Sequence, residues 1–274
     1  MDEQTSSLKG LPRLKPRGGL QVMYASVRAL FLRELQTRFG QYRLGYFWIL
    51  IEPALHIGFM LVLFGTLRQR MIPGMEFEIF LINGILPFFM FRKIATQALG
   101  AVQANKGLFS YRPVKPIDTL MARGFLELLL HFIVYVLFSL ILVWFGFHIS
   151  SAAIPQLLGY WLVLFLFTMS IGLILLVIGH ISQEINKFVS RIFFILYLLS
   201  GVLYSIHIIP AEYQKYLLWN PLVHIFELMR HSIASTYPIA QGVSLSYVFL
   251  WIIGGLFLGL LLYKRFEQQM VKSK

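Results

Sequence analysis

Six long apolar runs, separated by gaps that hold most of the basic residues, leave this chain few folds to choose from. They cover roughly 45–67, 77–98, 118–146, 153–180, 187–206 and 243–263. Each is close to the about 20 residues a helix needs to cross the apolar part of a bilayer. The third and fourth are longer, which tilt or extension beyond the bilayer accommodates. Only 13% of the residues are charged and 58% are hydrophobic, against about 25% and about 45–50% in soluble domains. A single soluble core cannot hide that much apolar surface, whereas lipid accepts it directly. The pattern predicts an all-α membrane protein with six transmembrane helices over 45–263.

The placement of charge sets the orientation. The net charge is +12. A basic total can signify nucleic acid, but these charges flank the apolar runs, as positive-inside loops do. Let the N-terminus lie in the cytoplasm. Segment 1–44, segment 92–123, the loop with Lys187 and Arg191, and the tail 264–274 then carry eight, six, two and four Lys or Arg. The other side keeps four, Arg68, Arg70, Lys215 and Arg230. The split of twenty to four predicts a multi-pass protein with both termini cytoplasmic and no nucleic-acid partner. Residues 1–19 lack the apolar core of a signal peptide, so the first membrane helix is expected to target the chain.

Two stretches belong to neither class. Over 20–39, Leu20, Met23, Val27, Leu30, Phe31 and Leu35 share one helical face, with Arg28 and Arg33 off it. This predicts an amphipathic helix lying in the interface plane ahead of the spans. Anchoring alone and docking of a partner both fit it. Glu34 and Arg38 stand four apart in the favourable order and are expected to pair. The extracytoplasmic stretch 205–242 carries Pro210, Asn220, Pro221 and Pro238 and is too broken to span. Its halves, about 209–219 and 221–235, predict short re-entrant or surface helices. Backbone at membrane depth must be covered by protein or line a cavity, so this element is expected to cap something.

The motifs argue against catalysis in this chain. No Gly-x-x-x-x-Gly-Lys-Ser/Thr phosphate loop and no His-Glu-x-x-His occurs. There is no cysteine, which excludes disulfides and thiolate metal sites. His180 and Glu184 lack a third ligand and read as a polar pair at a helix end. His207, His224 and His231 read as structural or interfacial. The twelve acidic residues are scattered singly. A membrane-embedded glycolipid enzyme needs them clustered, and a proton-driven carrier needs more of them inside the membrane. Glu52, beside Pro53, fits either a helix kink or a polar pathway. Glu127 is expected to pair with Arg123, four residues earlier. Tyr42, Tyr46, Phe47 and Trp48 cluster at the start of the first span, and Tyr197, Tyr204 and Trp219 lie in or after the fifth. An interfacial aromatic belt is the default reading; stacking on sugar rings is the sharper alternative. The connector 99–117 holds Pro113 and Pro116, which end any helix before them. It reads as a plain loop or as a short surface helix ending near Arg112.

Three of these stretches together resemble the membrane subunit of capsular polysaccharide exporters, within the type-2 ABC exporter permeases. The most specific is Arg38 to Pro53, with its arginines, Leu44-Gly45, Trp48 and Pro53. Asn105 to Asp118 resembles the family's coupling segment, and Leu218 to Arg230 its outer re-entrant region. The resemblance runs over essentially the whole chain. It implies two copies of this chain forming a channel in the bacterial inner membrane, with two copies of a separate cytoplasmic ATPase beneath. ATP and Mg would be bound there, which fits the missing phosphate loop, and no cofactor is expected here. It also implies a lipid-linked acidic polysaccharide as cargo and periplasmic and outer-membrane export proteins as partners, beside the membrane lipids. Residue roles follow as expectations. Arg38 and Arg43, then Arg28 and Arg33, would recognise the anionic cargo on the cytoplasmic side, or serve as positive-inside charge in contact with lipid. Tyr46, Phe47, Trp48, Tyr197 and Tyr204 would line the channel. Asn105, Phe109, Tyr111 and Arg112 would couple to the ATPase, with 180–191 as a second contact. Trp219, Asn220, Glu227 and Arg230 would form an outer gate within 205–238, where Glu227 and Arg230 stand three apart and fit a pair. Other cargo for the same machine, such as O-antigen, teichoic acid or a drug, is the alternative.

Overall fold

The computed structural model describes residues 18–40, 45–68, 72–109, 114–182 and 184–272. Among the described residues there are helices and turns and no strand. In chain order the α-helices are α1 Gly19–Gly40, α2 Gly45–Arg68, α3 Phe77–Ala104, α4 Pro116–Trp144, α5 Ile154–Ile181, α6 Glu184–Leu199, α7 Ala211–Leu217, α8 Pro221–Ile233 and α9 Leu245–Lys272. Four of them, α3, α4, α5 and α9, are long and apolar enough to cross a membrane; α2 holds a shorter apolar stretch, Trp48–Phe64.

Helix α3 is the axis of the bundle. Its first half, from Phe77 to Phe91, is buried almost without interruption. It packs chiefly on α5 and α4, and α9 packs on α5 from outside. The closest approach is at Gly179, where any Cβ would collide with the Leu99 carbonyl. Small residues let membrane helices meet backbone to backbone, where dispersion rather than hydrophobic exclusion holds them.

Several boundaries follow from local chemistry. Pro116 starts α4 at a position whose missing N–H costs nothing, and the Asp118 carboxylate accepts the Lys115 N–H at 2.9 Å. Pro210 precedes α7, and Pro221 opens α8, whose first turn is capped by Asn220 Oδ1 accepting the Leu222 N–H at 3.1 Å. The expected halves 209–219 and 221–235 correspond to these two helices.

Other boundaries differ from the sequence reading. Helix α3 runs on to Ala104, so the first part of the expected connector is helix. Beyond it, Asn105 donates to the Ala101 carbonyl at 2.9 Å and a single 3-10 turn follows at Lys106–Leu108. The sixth apolar run continues as helix through the expected tail to Lys272, with Met270 buried.

The fifth run stops short. Helix α6 has 16 residues, about 24 Å, and does not reach 206. Its end is unwound at Gly201, φ 64, a conformation that favours glycine. The carbonyls freed there are taken up by Arg230 of α8, whose Nη2 donates to Gly201 O at 2.8 Å and Val202 O at 3.3 Å. Irregular backbone in such a protein survives because a buried donor satisfies it.

Helix α1 forms where expected, but it is not a clean amphipathic helix. Leu20, Tyr24 and Leu32 are exposed while Ser26 and Leu30 are buried. What fastens its C-terminal half is charge.

Candidate functional site

Two polar constellations interrupt the apolar bundle. The first is a crevice of about 180 Å³ between α1, α2, α3 and α4. Its walls include Arg38, Trp48, Glu52, Arg92, Lys93, Glu127 and His131. The side chains come together through helical spacing: Glu127 and His131 are one turn apart on α4, and Arg92 lies one turn beyond Phe89 on α3. Glu127 is only 2% exposed. It receives Arg38 at 2.5 Å, Gln97 at 2.5 Å and His131 at 3.3 Å. Two donors on one oxygen and an imidazole beside the other hold this carboxylate in place.

The expected pairings are therefore exchanged. Glu34 does not pair with Arg38, nor Glu127 with Arg123. Instead Arg38 reaches across to Glu127, and Glu34 reaches Arg123 at 3.1 Å. Both steps are four residues long and run the same way, so α1 and α4 meet locally in parallel. Arg123 Nε is buried without an aligned hydrogen bond, so this second pair is charge proximity alone. Arg33 donates to Asn105 Oδ1 at 2.5 Å and also neighbours Glu34 at 3.7 Å, tying α1 to the end of α3. Arg28 is exposed.

The far wall of the crevice is looser. Arg92 meets Glu52 at 3.4 Å, with side chains 42% and 60% exposed. The Arg92 guanidinium lies 4.7 Å from the Phe89 ring centroid. Lys93 is exposed, and so is Trp48 at the rim. In sequence, Arg92 and Lys93 stand out only as topological charge and His131 carries no signal of its own. The signal that would have found them is the alignment of Phe89, Arg92, Glu127 and His131 at helical spacing in adjacent spans.

The second constellation surrounds α8. Glu227 and Arg230 pair at 3.5 Å, each 1% exposed. Arg230 also lies over the Phe80 ring at 3.5 Å. Tyr237 donates to Glu227 Oε1 at 2.7 Å and bonds Ser205 Oγ at 3.0 Å. His207 Nε2 bonds the Pro238 carbonyl at 2.9 Å and lies 3.6 Å from Glu227. That carboxylate, followed by the Pro238 carbonyl, favours the imidazolium and raises the His207 pKa against the opposing effect of burial. Asn220 donates to Ser200 Oγ at 2.8 Å. A Cβ at Gly84 would lie 2.6 Å from Val202 O and 2.8 Å from Arg230 Nη2. Only glycine leaves Arg230 room against α3.

The remaining expected residues are dispersed. Tyr197 is buried, its hydroxyl 2.6 Å from His56 Nε2 and its ring against Phe88. Tyr204 is half-buried. Trp219 is exposed, with its carbonyl taken by Tyr247 Oη at 2.9 Å. Asn105 and Phe109 are both buried, so Phe109 sits inside the fold rather than on its surface. Arg43, Tyr111, Arg112 and the side chains of Tyr46 and Phe47 lie outside the described residues. No ion pair joins His180 to Glu184 among the described residues, and no group of three potential metal ligands occurs there.

Residues 25–234 match the family model described as ABC-2 type transporter. The chain is 43% identical over 94% of its length to a polysialic acid transport protein, KpsM of Escherichia coli, of which 99% is covered. It is 28% identical over 88% of its length to BexB of Haemophilus influenzae, a capsule polysaccharide export inner-membrane protein, of which 91% is covered. It is 25% identical over 76% of its length to the O-antigen export permease RfbA of Klebsiella pneumoniae, covering 80% of it. A polytopic helical bundle with no phosphate loop, matched over most of its length by a family model and by a relative of near-equal span, belongs to the ABC-2 type transporter family.

Proposed function

We propose that this chain is the membrane permease of an ATP-driven exporter that carries lipid-linked acidic capsular polysaccharide from the cytoplasm across the bacterial inner membrane. The full-length likeness to a polysialic acid transport protein carries the reading. O-antigen is the weaker cargo by the lower likeness to the O-antigen permease, and no feature of the fold favours teichoic acid, a drug or an enzymatic role.

Six segments span, with α2 and α6 as the short pair, and both termini are cytoplasmic, as the charge split asks. Helix α1 lies at the cytoplasmic interface. Two copies pair, and two cytoplasmic ATPase subunits, which bind ATP and Mg, dock under them. The connector 99–117 and the segment 180–191 receive the ATPase stroke, with Asn105 and Phe109 anchoring the connector from within and Tyr111 and Arg112 sharing the coupling role. Cargo arrives at the crevice, drawn by Arg28 and Arg33 of α1 and by Arg43 of segment 1–44, with Arg38 facing it from its pairing with Glu127. It passes Tyr46, Phe47, Trp48, Tyr197 and Tyr204, whose rings stack on sugars without holding them tightly. Trp219, Asn220, Glu227 and Arg230 form the outer gate, beyond which periplasmic and outer-membrane proteins accept the polymer.

The decisive experiment is complementation. The gene is expressed with its ATPase partner in a capsulated strain lacking its own permease, and surface polysaccharide is measured. Restored capsule is expected. A surface without capsule, with polymer accumulating inside beside a well-expressed permease, overturns the reading.

A further inference from the structure

Within the crevice, one cation pair is committed and another is free to act. Glu127, buried and bonded by Gln97 as well, holds Arg38 in place. Arg92 has a different partner, Glu52, which is 60% exposed and 3.4 Å away. Exposed pairs of that length are worth about 0–1 kcal/mol. Lys93 stands beside them with no ion pair among the described residues. The groups facing the space are Arg38, Arg92, Lys93 and His131 against Glu52 and Glu127. Once Arg38 and Glu127 cancel, the remaining balance is cationic, and Glu52 is its one movable anion. The Phe89 face at 4.7 Å holds the Arg92 guanidinium in position. An arginine fork beside a lysine suits a phosphate oxyanion better than a lone carboxylate. The space of about 180 Å³ corresponds to about six waters, enough for one phosphate group and its attachment. Trp48, 62% exposed at the rim, is a ring of the kind that sits at the level of lipid headgroups.

We propose that Arg92 and Lys93 form a seat for the phosphate of an anionic lipid, and that Glu52 is a built-in counter-ion which the lipid displaces. The seat deepens the export reading, on which its role in admitting cargo rests, because the phosphate of a lipid anchor and that of a bulk anionic lipid share this chemistry. When phosphate takes the place of Glu52, the link between α2 and α3 is released, and a loaded seat frees the first span to move.

The test separates the site from its use. The full chain with its ATPase partner is placed in phosphatidylcholine nanodiscs, phosphatidylglycerol is titrated in, and retained lipid is counted by native mass spectrometry. Paired Arg92→Gln and Lys93→Gln changes should weaken retention at least tenfold. Arg92→Lys, which keeps the charge, should weaken it by less, and it guards against a misfolded variant. Glu52→Gln should strengthen retention about two- to five-fold, the factor matching loss of a weak competing pair. Retention unchanged or lowered in Glu52→Gln overturns the counter-ion role. Retention unchanged in the double variant overturns the seat. Inorganic phosphate at millimolar concentration should not displace the lipid; full displacement would identify an anion site without lipid preference and overturn the assignment. Weakened retention with unaltered export in the Arg92 and Lys93 variants would overturn the role in admitting cargo and leave the lipid site itself standing.

Discussion

The two polar networks both touch α3, one near its start and one in its second half, but they are built on opposite terms. Around α8 the charges are sealed. Glu227 and Arg230 are 1% exposed, and their partners come from residues 200–238 and from Phe80. In the crevice the charges come from four helices, and burial grades from Glu127 at 2% to Glu52 at 60%. Removing one partner of a sealed pair strands a charge where water cannot reach it. Removing one partner of an open pair lets water in. The α8 network is therefore closed to water, while the crevice leaves Arg92, Lys93 and Glu52 within its reach.

The largest effect should separate them directly. Arg230→Met leaves Glu227 buried without its cation and leaves Gly201 and Val202 carbonyls unpaired. It should destabilise by about 3–5 kcal/mol, read as a large fall in thermal midpoint in nanodiscs and loss of assembled permease. The double change Glu227→Gln with Arg230→Met should recover part of this, since two neutral groups bury more cheaply than one stranded charge. Arg92→Gln in the crevice should shift the midpoint hardly at all. Equal losses at both positions would erase the distinction.

Within the crevice the gradation itself can be measured. A double-mutant cycle on Arg38 and Glu127, using Arg38→Met and Glu127→Gln, should give a coupling of about 2 kcal/mol, reduced from the buried limit because Arg38 is 25% exposed. The same cycle on Glu34 and Arg123 should give about 0.5 kcal/mol, because the contact is close without being aligned. Couplings in the reverse order would mean that α1 is held by its outer pair and not by the buried carboxylate.

These pairs also mark how far the sequence could be read. Apolar period and proline placed most helices within a few residues: Pro116, Pro210 and Pro221 each punctuate a boundary that the structure keeps. The stop of α6 at Leu199 was not legible, because the donor that satisfies the carbonyls freed there is a guanidinium some thirty residues further on. The charge partners failed for a similar reason. Glu34 and Arg38, like Arg123 and Glu127, are spaced for pairing on one helix. The same spacing serves equally for pairing across two parallel helices, and only the docking of α1 on α4 decides between them. Glu227 and Arg230 were readable because three residues on one helix fix their neighbourhood. Arg92 and Lys93 were visible as charge and illegible as a site, since their significance lies in facing α2 and α4.

The smallest effect tests the rim of the sealed network, where water does reach. His207 lies against Glu227 at 3.6 Å with its side chain 22% exposed, and that carboxylate raises its pKa above the ordinary 6.5. A histidine with a raised folded pKa contributes its full stabilisation below the unfolded value, and loses it as pH climbs through the folded one. The contribution should therefore be complete at pH 6 and decline upward from about 6.5. Partial exposure limits it to a few tenths of a kcal/mol. The wild-type thermal midpoint should fall slightly across this window, and His207→Gln should flatten that slope while leaving the midpoint at high pH unchanged. A slope that survives in His207→Gln would locate the titration elsewhere, and the seal around Glu227 would then extend to its edge.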